Sequence, residues 1–244
     1  MPYRTLNLEE VAQYLHMERG DVEQLVKDQE IPFERHGGRV LFRKIDIDSW
    51  ASPRIMGLEG RRLAAYHQKT SADTRTILRQ AAILPQMIRP EYIEPALQAK
   101  TKASVLREMV QLAERTDRVW DAKGLLSGLK AREELCSTGL PGGLAILHTR
   151  QAEDYLFESL FLVLGRTVQD IPFGAPDGGP TNLFFLIACP DDRLHLHTLA
   201  RLCIMAQKTD LLMNLRAAAD APTMYECLVA AEDEVLASKS ARES

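Results

Sequence analysis

Apolar positions in residues 8–15 and again in residues 22–26 recur three or four residues apart. This spacing predicts two short amphipathic helices. Asn7 and Glu10 match a capping box at the start of the first helix. Residues 16–20 separate the two helices and predict a tight turn.

The pattern then changes to the spacing of strands. Residues 31–35 and 39–43 flank the turn sequence His36-Gly37-Gly38, which predicts a β-hairpin. A short helix over Ile45–Trp50 is expected to follow. The order helix, turn, helix, hairpin and closing helix predicts a small winged unit.

A segment without glycine or proline, residues 61–84, separates this unit from the rest of the chain. Gly57 and Gly60 precede it and Pro85 and Pro90 follow it, whereas residues 61–84 show helical character. We therefore expect a connector of one or two helices over residues 56–90.

From Ile93 onward, helical segments alternate with apolar strands, which predicts an α/β fold with a mixed sheet flanked by helices. The predicted strands are Leu144–Leu147, Phe157–Leu164 and Leu183–Cys189. The predicted helices cover residues 104–115, a segment capped by Asp121, a long segment opened by Asp191 and Asp192, and a segment from Thr223 to about Ala237. The expected domains are a helix-turn-helix unit (1–55), the connector (56–90) and an α/β domain (91–240).

Composition excludes several classes of protein. Of the 244 residues, 45% are hydrophobic and 26% charged, as in ordinary globular proteins and unlike disordered chains. No apolar run approaches the roughly 20 residues of a membrane span, and the N-terminus shows no apolar secretory segment. The four cysteines form no CxxC pair, so neither a zinc site nor a disulfide framework is expected. We expect a cytoplasmic protein with no metal, no cofactor and no membrane insertion.

Charge is distributed unevenly along the chain. Lys and Arg against Asp and Glu number 8 and 10 in residues 1–55, 6 and 2 in residues 56–90, and 16 and 22 in residues 91–244. These segments carry −2, +4 and −6 and sum to the net charge of −4. The chain as a whole thus lacks a basic footprint for nucleic acid, and its basic residues concentrate in the connector at Arg61, Arg62, Arg75 and Arg79.

Residues 6–50 resemble the excisionase branch of the MerR-like winged helix-turn-helix fold. The matching segments are residues 6–15, Ile31-Pro32, Gly37-Gly38-Arg39, Phe42-Arg43 and Ile47–Trp50. The resemblance implies a second helix that enters the major groove of duplex DNA and a wing that contacts the backbone. Its candidate DNA-binding residues are Arg19, Gln24, Lys27, Arg35, His36, Arg39 and Arg43, with Lys44 beside them in the basic wing. Asp21, Glu23 and Asp28 would repel phosphates, so a folded docking domain remains the alternative.

His148 stands where a predicted strand ends, after the glycine-rich loop 137–143. A neutral imidazole is a nucleophile near neutral pH, and it can carry a phosphoryl group covalently. A phosphoryl group requires hydrogen-bond donors around its oxygens. The loop offers hydroxyls and approachable backbone N–H groups, and Arg132 offers a planar guanidinium. The candidate loop residues are Ser137, Thr138, Gly139, Gly142 and Gly143.

Residues 132–148, REELCSTGLPGGLAILH, resemble the active-site signature of the fructose/mannitol/nitrogen class of enzyme IIA, the phosphohistidine carriers of the bacterial phosphoenolpyruvate-dependent phosphotransferase system (PTS). The segments 173–180, 183–190 and 195–202 agree in order. The resemblance implies that His148 is the phosphoacceptor, that Arg132 neutralises phosphate and that His195 is the second active-site histidine. His195 and His197 should lie on different faces of one helix. The sequence departs from the family in having Leu147 where Pro is usual and Thr149 where Gly is frequent.

Two interpretations of function remain open. In the first, a PTS-linked regulator accepts phosphate from the histidine phosphocarrier protein (HPr) and passes its state to the DNA-binding-like module. In the second, a sugar-transport enzyme IIA passes phosphate to a separate IIB domain, and the N-terminal module docks partners. A third, weaker interpretation is a sensor that no longer accepts phosphate, and it depends on Leu147 alone. The sequence also suggests an apolar carrier surface of Leu140, Leu144 and Leu147 around His148, and the connector as a homodimer contact.

Overall fold

The computed structural model describes residues 5–74, 82–149, 156–189 and 192–243. The helices are α1 (Leu8–Leu15), α2 (Arg19–Lys27), α3 (Lys44–Met56), α4 (Gly60–Thr74), α5 (Leu84–Met87), α6 (Lys102–Glu114), α7 (Ala122–Leu135), α8 (Asp192–Lys208), α9 (Leu211–Ala217) and α10 (Ala221–Glu243), with one 3-10 turn at Pro90–Tyr92. The strands are β1 (Thr5–Leu6), β2 (Glu34–His36), β3 (Arg39–Arg43), β4 (Ile93–Leu97), β5 (Gly139–Leu140), β6 (Leu144–Leu147), β7 (Phe161–Ile171) and β8 (Thr181–Ala188).

The first helix of the winged unit begins as its capping residues predict. The Glu10 N–H donates to Asn7 Oδ1 at 3.0 Å, and the Asn7 N–H donates to Glu10 Oε2 at 2.7 Å. The turn that follows is shorter than expected, because α2 already begins at Arg19. This tight turn is stabilised by His16, whose left-handed φ of 53° lets its backbone N–H cap α1.

The predicted hairpin is present but shorter than the sequence suggests. β2 begins at Glu34, so the expected strand over 31–35 is wrong for residues 31–33. Ile31 is instead buried in the core of the winged unit. β1, which the pattern did not reveal, pairs antiparallel with β3 and gives a three-stranded sheet in the order β1-β3-β2.

The closing helix α3 is the largest departure from the sequence prediction. It runs from Lys44 to Met56 and passes through Pro53, whereas the expected helix ended at Trp50. Proline lacks an N–H donor and normally interrupts a helix. Here α3 packs against α8 of the α/β domain, and that burial offsets the missing hydrogen bond.

The connector is helical in its first part. α4 confirms helix over residues 60–74, and the short α5 begins at Leu84. The remainder of the predicted helix, including Arg75 and Arg79, lies outside the described residues. α4 packs along α8, so the connector is part of the folded body.

A five-stranded mixed sheet forms the centre of the α/β domain, in the order β4-β7-β8-β6-β5. β4 and β7 are parallel, as are β6 and β8, whereas β7–β8 and β5–β6 are antiparallel. Gly165 in β7 is required by packing, since a Cβ there would lie 2.3 Å from Leu97 Cδ1. The expected mixed sheet with flanking helices is confirmed, and it sets β6 in the interior with His148 at its carboxyl end.

Two boundaries in this domain differ from the predictions. β7 starts at Phe161, because Phe157 belongs to an isolated bridge with Val119. The last helix is capped by Asp220, whose carboxylate accepts the Thr223 N–H at 2.9 Å, so Thr223 is inside the first turn and is not the cap. The expected cap at Asp121 is confirmed by its bond from the Gly124 N–H, at 2.9 Å.

Candidate active site at the end of strand β6

Three separate elements bring His148, Arg132 and His195 together. His148 follows β6, Arg132 lies in the last turn of α7, and His195 lies in the first part of α8. Arg132 Nε is 3.2 Å from His148 Nε2, and the ring centroids of His148 and His195 are 5.1 Å apart. The three residues that the sequence singled out therefore form one cluster.

The hydrogen bonds of His148 define which ring nitrogen is nucleophilic. Nδ1 lies 2.9 Å from the Ile146 carbonyl oxygen, which can only accept, so Nδ1 carries the proton. Nε2 is then unprotonated and accepts from Arg132 Nε–H. The lone pair of Nε2 consequently points at the guanidinium.

Burial and charge keep both histidines neutral. Burial first, and then the charges of Arg132 and His195, hold the pKa of His148 well below its usual value. Burial, Arg132 and Lys44, in that order, lower the pKa of His195 to about 4. At neutral pH the cluster therefore has a nucleophilic imidazole and one fixed positive charge on Arg132.

Arg132 is buried and incompletely satisfied. Its side chain donates to three uncharged acceptors, which are His148 Nε2, the Cys136 carbonyl oxygen at 2.9 Å and Cys136 Sγ at 3.3 Å. Within the described part of the chain, its Nη2 is buried and has no hydrogen-bond acceptor. An unpaired buried donor on a cation is costly, and it is the group that a bound anion would satisfy.

The neighbouring Glu133 does not neutralise Arg132. Its carboxylate pairs with Lys102 at 2.6 Å and accepts from the Thr138 N–H at 2.9 Å and from the Thr138 hydroxyl. Glu134 is exposed, so the two adjacent carboxylates diverge as expected. The positive charge of Arg132 remains directed at His148.

α7 approaches the residue after His148 very closely. A Cβ at Gly128 would lie 3.0 Å from Thr149 Cγ2, which is tighter than an ordinary contact. The absence of a side chain at Gly128 thus makes room for Thr149, where the family frequently has glycine. This departure from the family pattern is accommodated by packing.

The polar groups of the loop 137–143 bind one another and neighbouring segments. Ser137 Oγ donates to the Phe173 carbonyl and accepts the Gly139 N–H, and the Gly142 N–H donates to Asp177. Gly143 has a φ of +79°, and a Cβ there would lie 2.6 Å from Arg216 Nη2. These bonds hold the loop in place, and its role as a phosphate cradle stays a prediction.

The apolar residues expected to form a carrier surface are part of the core. Leu140, Leu144 and Leu147 are all buried, and Leu147 pairs with Leu186 inside the sheet. The prediction of an exposed apolar surface made of these three residues is wrong, because every side chain of β6 is covered on both faces of the sheet.

His197 faces away from the cluster. Its Nδ1 is 2.9 Å from Thr70 Oγ1 of the connector, and its ring stacks on His67 with centroids 5.4 Å apart. The expected divergence of His195 and His197 on one helix is confirmed.

Lys44 is a functional candidate that the sequence placed only in the basic wing. It lies at the start of α3, pairs with Asp48 at 3.0 Å, and contributes to the lowered pKa of His195. Only the packing of α3 on α8 brings it there. No local sequence signal could have revealed this, since Lys44 and His195 are far apart in the chain.

The candidate DNA-binding residues all lie on the surface of the winged unit. They are Arg19, Gln24, Lys27, Arg35, His36, Arg39 and Arg43. Several are engaged with acidic neighbours: Arg19 bonds Glu23 at 2.9 Å, and Gln24 bonds Asp28 at 2.7 Å. The acidic residues of α2 thus partly neutralise the positive charge of that helix, as the sequence suggested.

Comparison with known families agrees with this architecture. Residues 86–230 match the family described as phosphoenolpyruvate-dependent sugar phosphotransferase system, EIIA 2. The chain belongs to this family. Residues 5–54 match a helix-turn-helix domain, so the EIIA type 2 domain is joined to a second unit, in agreement with both resemblances noted in the sequence.

The alignments with curated relatives are about as long as the EIIA type 2 part of the chain. The chain is 31% identical over 148 residues to a nitrogen regulatory protein of Bradyrhizobium diazoefficiens, covering 59% of this chain and 94% of that protein. It is also 31% identical to a nitrogen regulatory protein of Pseudomonas aeruginosa, with 60% and 94% covered.

Solved structures support the same fold. Nitrogen regulatory protein IIA-Ntr from Neisseria meningitidis superposes with a TM-score of 0.55 at 26% identity, covering 60% of this chain and 99% of that one. IIA mannitol from Escherichia coli gives a TM-score of 0.51 at 18% identity, covering 58% and 98%, which supports the fold alone.

Histidine, cysteine and carboxylate side chains in the described ranges form no group of three that could hold a metal ion. The helices in those same ranges are too short or too polar to cross a bilayer.

Proposed function

We propose that this EIIA type 2 protein accepts a phosphoryl group on His148 Nε2 and that the phosphorylation state regulates its helix-turn-helix unit. The observation that carries the proposal is the buried Nη2 of Arg132, which has no acceptor among the described residues, beside a neutral Nε2 lone pair. A nucleophile and an unsatisfied cationic donor in one buried cluster suit the transfer of an anionic group.

The transfer is an exchange between two histidines. The phosphocarrier HPr presents a phosphohistidine, its N–P bond breaks with the electron pair returning to the donor ring, and a new bond forms between phosphorus and His148 Nε2. The Nδ1 proton stays on the ring, held by the Ile146 carbonyl. Arg132 moves its donors from Nε2 to the phosphoryl oxygens, whose negative charge also favours protonation of His195.

The regulatory part of the proposal is supported by the combination of domains in this chain and by the names of its relatives. Proteins described as nitrogen regulatory proteins share the EIIA type 2 part, and a helix-turn-helix domain is joined to it here. Such domains read duplex DNA, so DNA is the proposed target of regulation. The alternative is transfer onward to a separate IIB domain; mannitol enzyme IIA of Escherichia coli, which shares the fold at 17% identity, has been solved in complex with phosphorylated IIB.

The test is intact-protein mass spectrometry after incubation with phosphoenolpyruvate, enzyme I and HPr. We expect one acid-labile phosphate on the wild type and none on His148→Ala. Arg132→Gln should be phosphorylated on the order of 10²-fold more slowly, the usual effect of removing one donor from a developing anion.

His36→Ala is the matched control, because His36 is an exposed histidine on the wing. It should accept phosphate at the wild-type rate. Phosphate on His148→Ala, or none on the wild type, would contradict the proposal.

A further inference from the structure

Two helices outside the α/β domain, α3 and α4, pack against α8, the helix that carries His195. α4 runs back along α8, as shown by Thr70 near His197 and by His67 Nε2 accepting from Arg201 Nε at 2.6 Å. The link between α3 and α4 is tied to the far end of α8, where Gln207 Nε2 donates to the Leu58 carbonyl at 2.9 Å.

α3 lies along a different side of α8. Its beginning, Lys44, is close enough to His195 to affect that imidazole electrostatically. Its end, Met56 and Gly57, lines a cavity of about 720 Å³ together with Cys203 and Ala206 of α8. The two helices therefore run side by side over their length.

The face of α3 between these two ends is buried. Lys44, Asp48, Ser52 and Met56 recur every four residues and form one helix stripe. Asp48, Ser52 and Met56 are buried, and the Lys44 side chain is only 18% exposed. Part of this stripe is held inside the winged unit, where Asp48 accepts from the Tyr14 hydroxyl of α1, and its Met56 end faces the cavity beside α8.

The two ends of the α3–α8 contact lie beside two parts of the candidate active site. Lys44 lies at the histidine end, and the cavity at the other end is lined by Ser137, Gly139 and Leu140 of the loop before β6. In this arrangement His148 and Arg132 are only 2% and 1% exposed. A phosphoryl donor must bring its phosphorus atom to about 3–3.5 Å from Nε2 in line with the bond that breaks, which a residue this buried does not permit.

We propose that the winged unit is docked by α3 on the surface that the phosphocarrier must use, so that docking of the winged unit and phosphotransfer to His148 exclude each other. The claim that docking excludes phosphotransfer rests on the proposed function. The claim that the winged unit is docked can be tested without phosphate. At any moment this surface is thus covered either by the chain's own winged unit or by the carrier protein. The apparent rate of phosphorylation equals the intrinsic rate multiplied by the undocked fraction.

The test uses Ser52→Glu in the full chain, which places a carboxylate in the middle of the stripe. Carbethoxylation of His148 by diethyl pyrocarbonate is followed by peptide mass spectrometry, with the exposed His36 as internal reference. We expect the reactivity ratio of His148 to His36 to rise on the order of tenfold, as the undocked fraction rises. Phosphorylation by HPr should accelerate by a similar factor.

Two further variants make the result decisive. Gln207→Glu sets a carboxylate against the Leu58 carbonyl from the α8 side and should act in the same direction, without altering the interior of the winged unit. Arg54→Glu adds the same side chain to the exposed face of α3 and should leave both rates unchanged.

The outcomes separate the two proposals. An unchanged His148 ratio in both Ser52→Glu and Gln207→Glu would overturn the docking inference, whatever happens to phosphate. A raised ratio with no phosphate on any variant would support docking and overturn the proposed function. A raised ratio with unchanged phosphorylation would overturn the exclusion of the carrier.

Discussion

At the scale of single residues, two cations from different parts of the chain, Arg132 and Lys44, set the electrostatics of the candidate site. Within the described ranges Arg132 donates to uncharged acceptors, and Lys44, which pairs with Asp48, acts electrostatically on His195 from another part of the chain. Arg132 disfavours protonation of both imidazoles, whereas Lys44 disfavours protonation of His195. The neutral form of His148, which is the nucleophilic one, is thereby favoured at physiological pH.

The effect of Lys44 on His195 gives a prediction at this scale. In the wild type, NMR titration should show a pKa of His195 of about 4. In Lys44→Gln we expect that pKa to rise, because a nearby positive charge is removed, but to stay below 6.5, because burial contributes most.

Lys69→Gln serves as the control, since Lys69 is on α4 and pairs with Glu18 at 3.8 Å. It should leave the titration of His195 unchanged. A pKa of His195 that is identical in the wild type and in Lys44→Gln would show that Lys44 does not act on the site.

At the scale of elements, α8 connects the site with the rest of the molecule. One of its faces presents His195 to His148, and another presents a buried polar network to α4 and α10. In that network Arg201 Nη1 donates to Glu232 Oε1 at 2.6 Å, and the Glu232 carboxylate also accepts the Ile83 and Leu84 N–H groups at 3.0 Å. Glu232 therefore caps α5 and fixes the connector to α10.

Removing one partner of this buried ion pair should destabilise the protein strongly. Arg201→Met leaves the Glu232 carboxylate buried without its cation, and burial already raises the pKa of Glu232. We expect a loss of about 3–5 kcal/mol in the free energy of unfolding, measured by urea denaturation at pH 7.

The double variant Arg201→Met with Glu232→Gln tests the cause. It removes the uncompensated charge and should recover part of the loss. If the single and double variants unfold at the same urea concentration, the buried charge is not the cause. Arg115→Met, at an exposed pair with Glu94, is the control and should change stability by less than about 1 kcal/mol.

At the scale of the whole molecule, the winged unit has one packed side and one exposed side. α3 packs on the EIIA type 2 domain, whereas α2 and the β2–β3 hairpin remain exposed. The exposed elements hold the candidate DNA-binding residues. Packing of α3 on the EIIA type 2 domain therefore leaves the predicted groove-reading surface accessible, and the proposed regulation would act through the position of the unit.

DNA binding by the full chain should be weak and strongly dependent on salt. Few basic side chains face outward without an acidic neighbour, so we expect a slope of log K against log salt of roughly −3. Arg39→Ala on the wing should weaken binding to all sequences, measured by fluorescence anisotropy with duplex DNA at low salt.

Arg107→Ala is the control, because Arg107 is exposed on α6 of the EIIA type 2 domain. It should bind as the wild type does. Absence of binding at low salt, where attraction to phosphates is greatest, would leave the winged unit as a docking domain only.

Much of this protein follows from local sequence. The capping pairs at Asn7 and Asp121 set two helix starts, the apolar run Leu144–Leu147 set the strand before His148, and the 200° between His195 and His197 separated their faces. These features depend on hydrogen bonds and side-chain periods within a few residues, which the sequence displays directly. The donor chemistry of the guanidinium suggested Arg132, the family resemblance added His195, and the structure brings both to His148.

Only the tertiary structure decided how the parts combine. α3 continues through Pro53, and Leu140, Leu144 and Leu147 are core residues, because neighbours distant in sequence bury them. Lys44 acts electrostatically on His195 for the same reason. Burial and charge proximity depend on which surfaces meet, and a local pattern of polar and apolar residues gives the face of an element but not its partner.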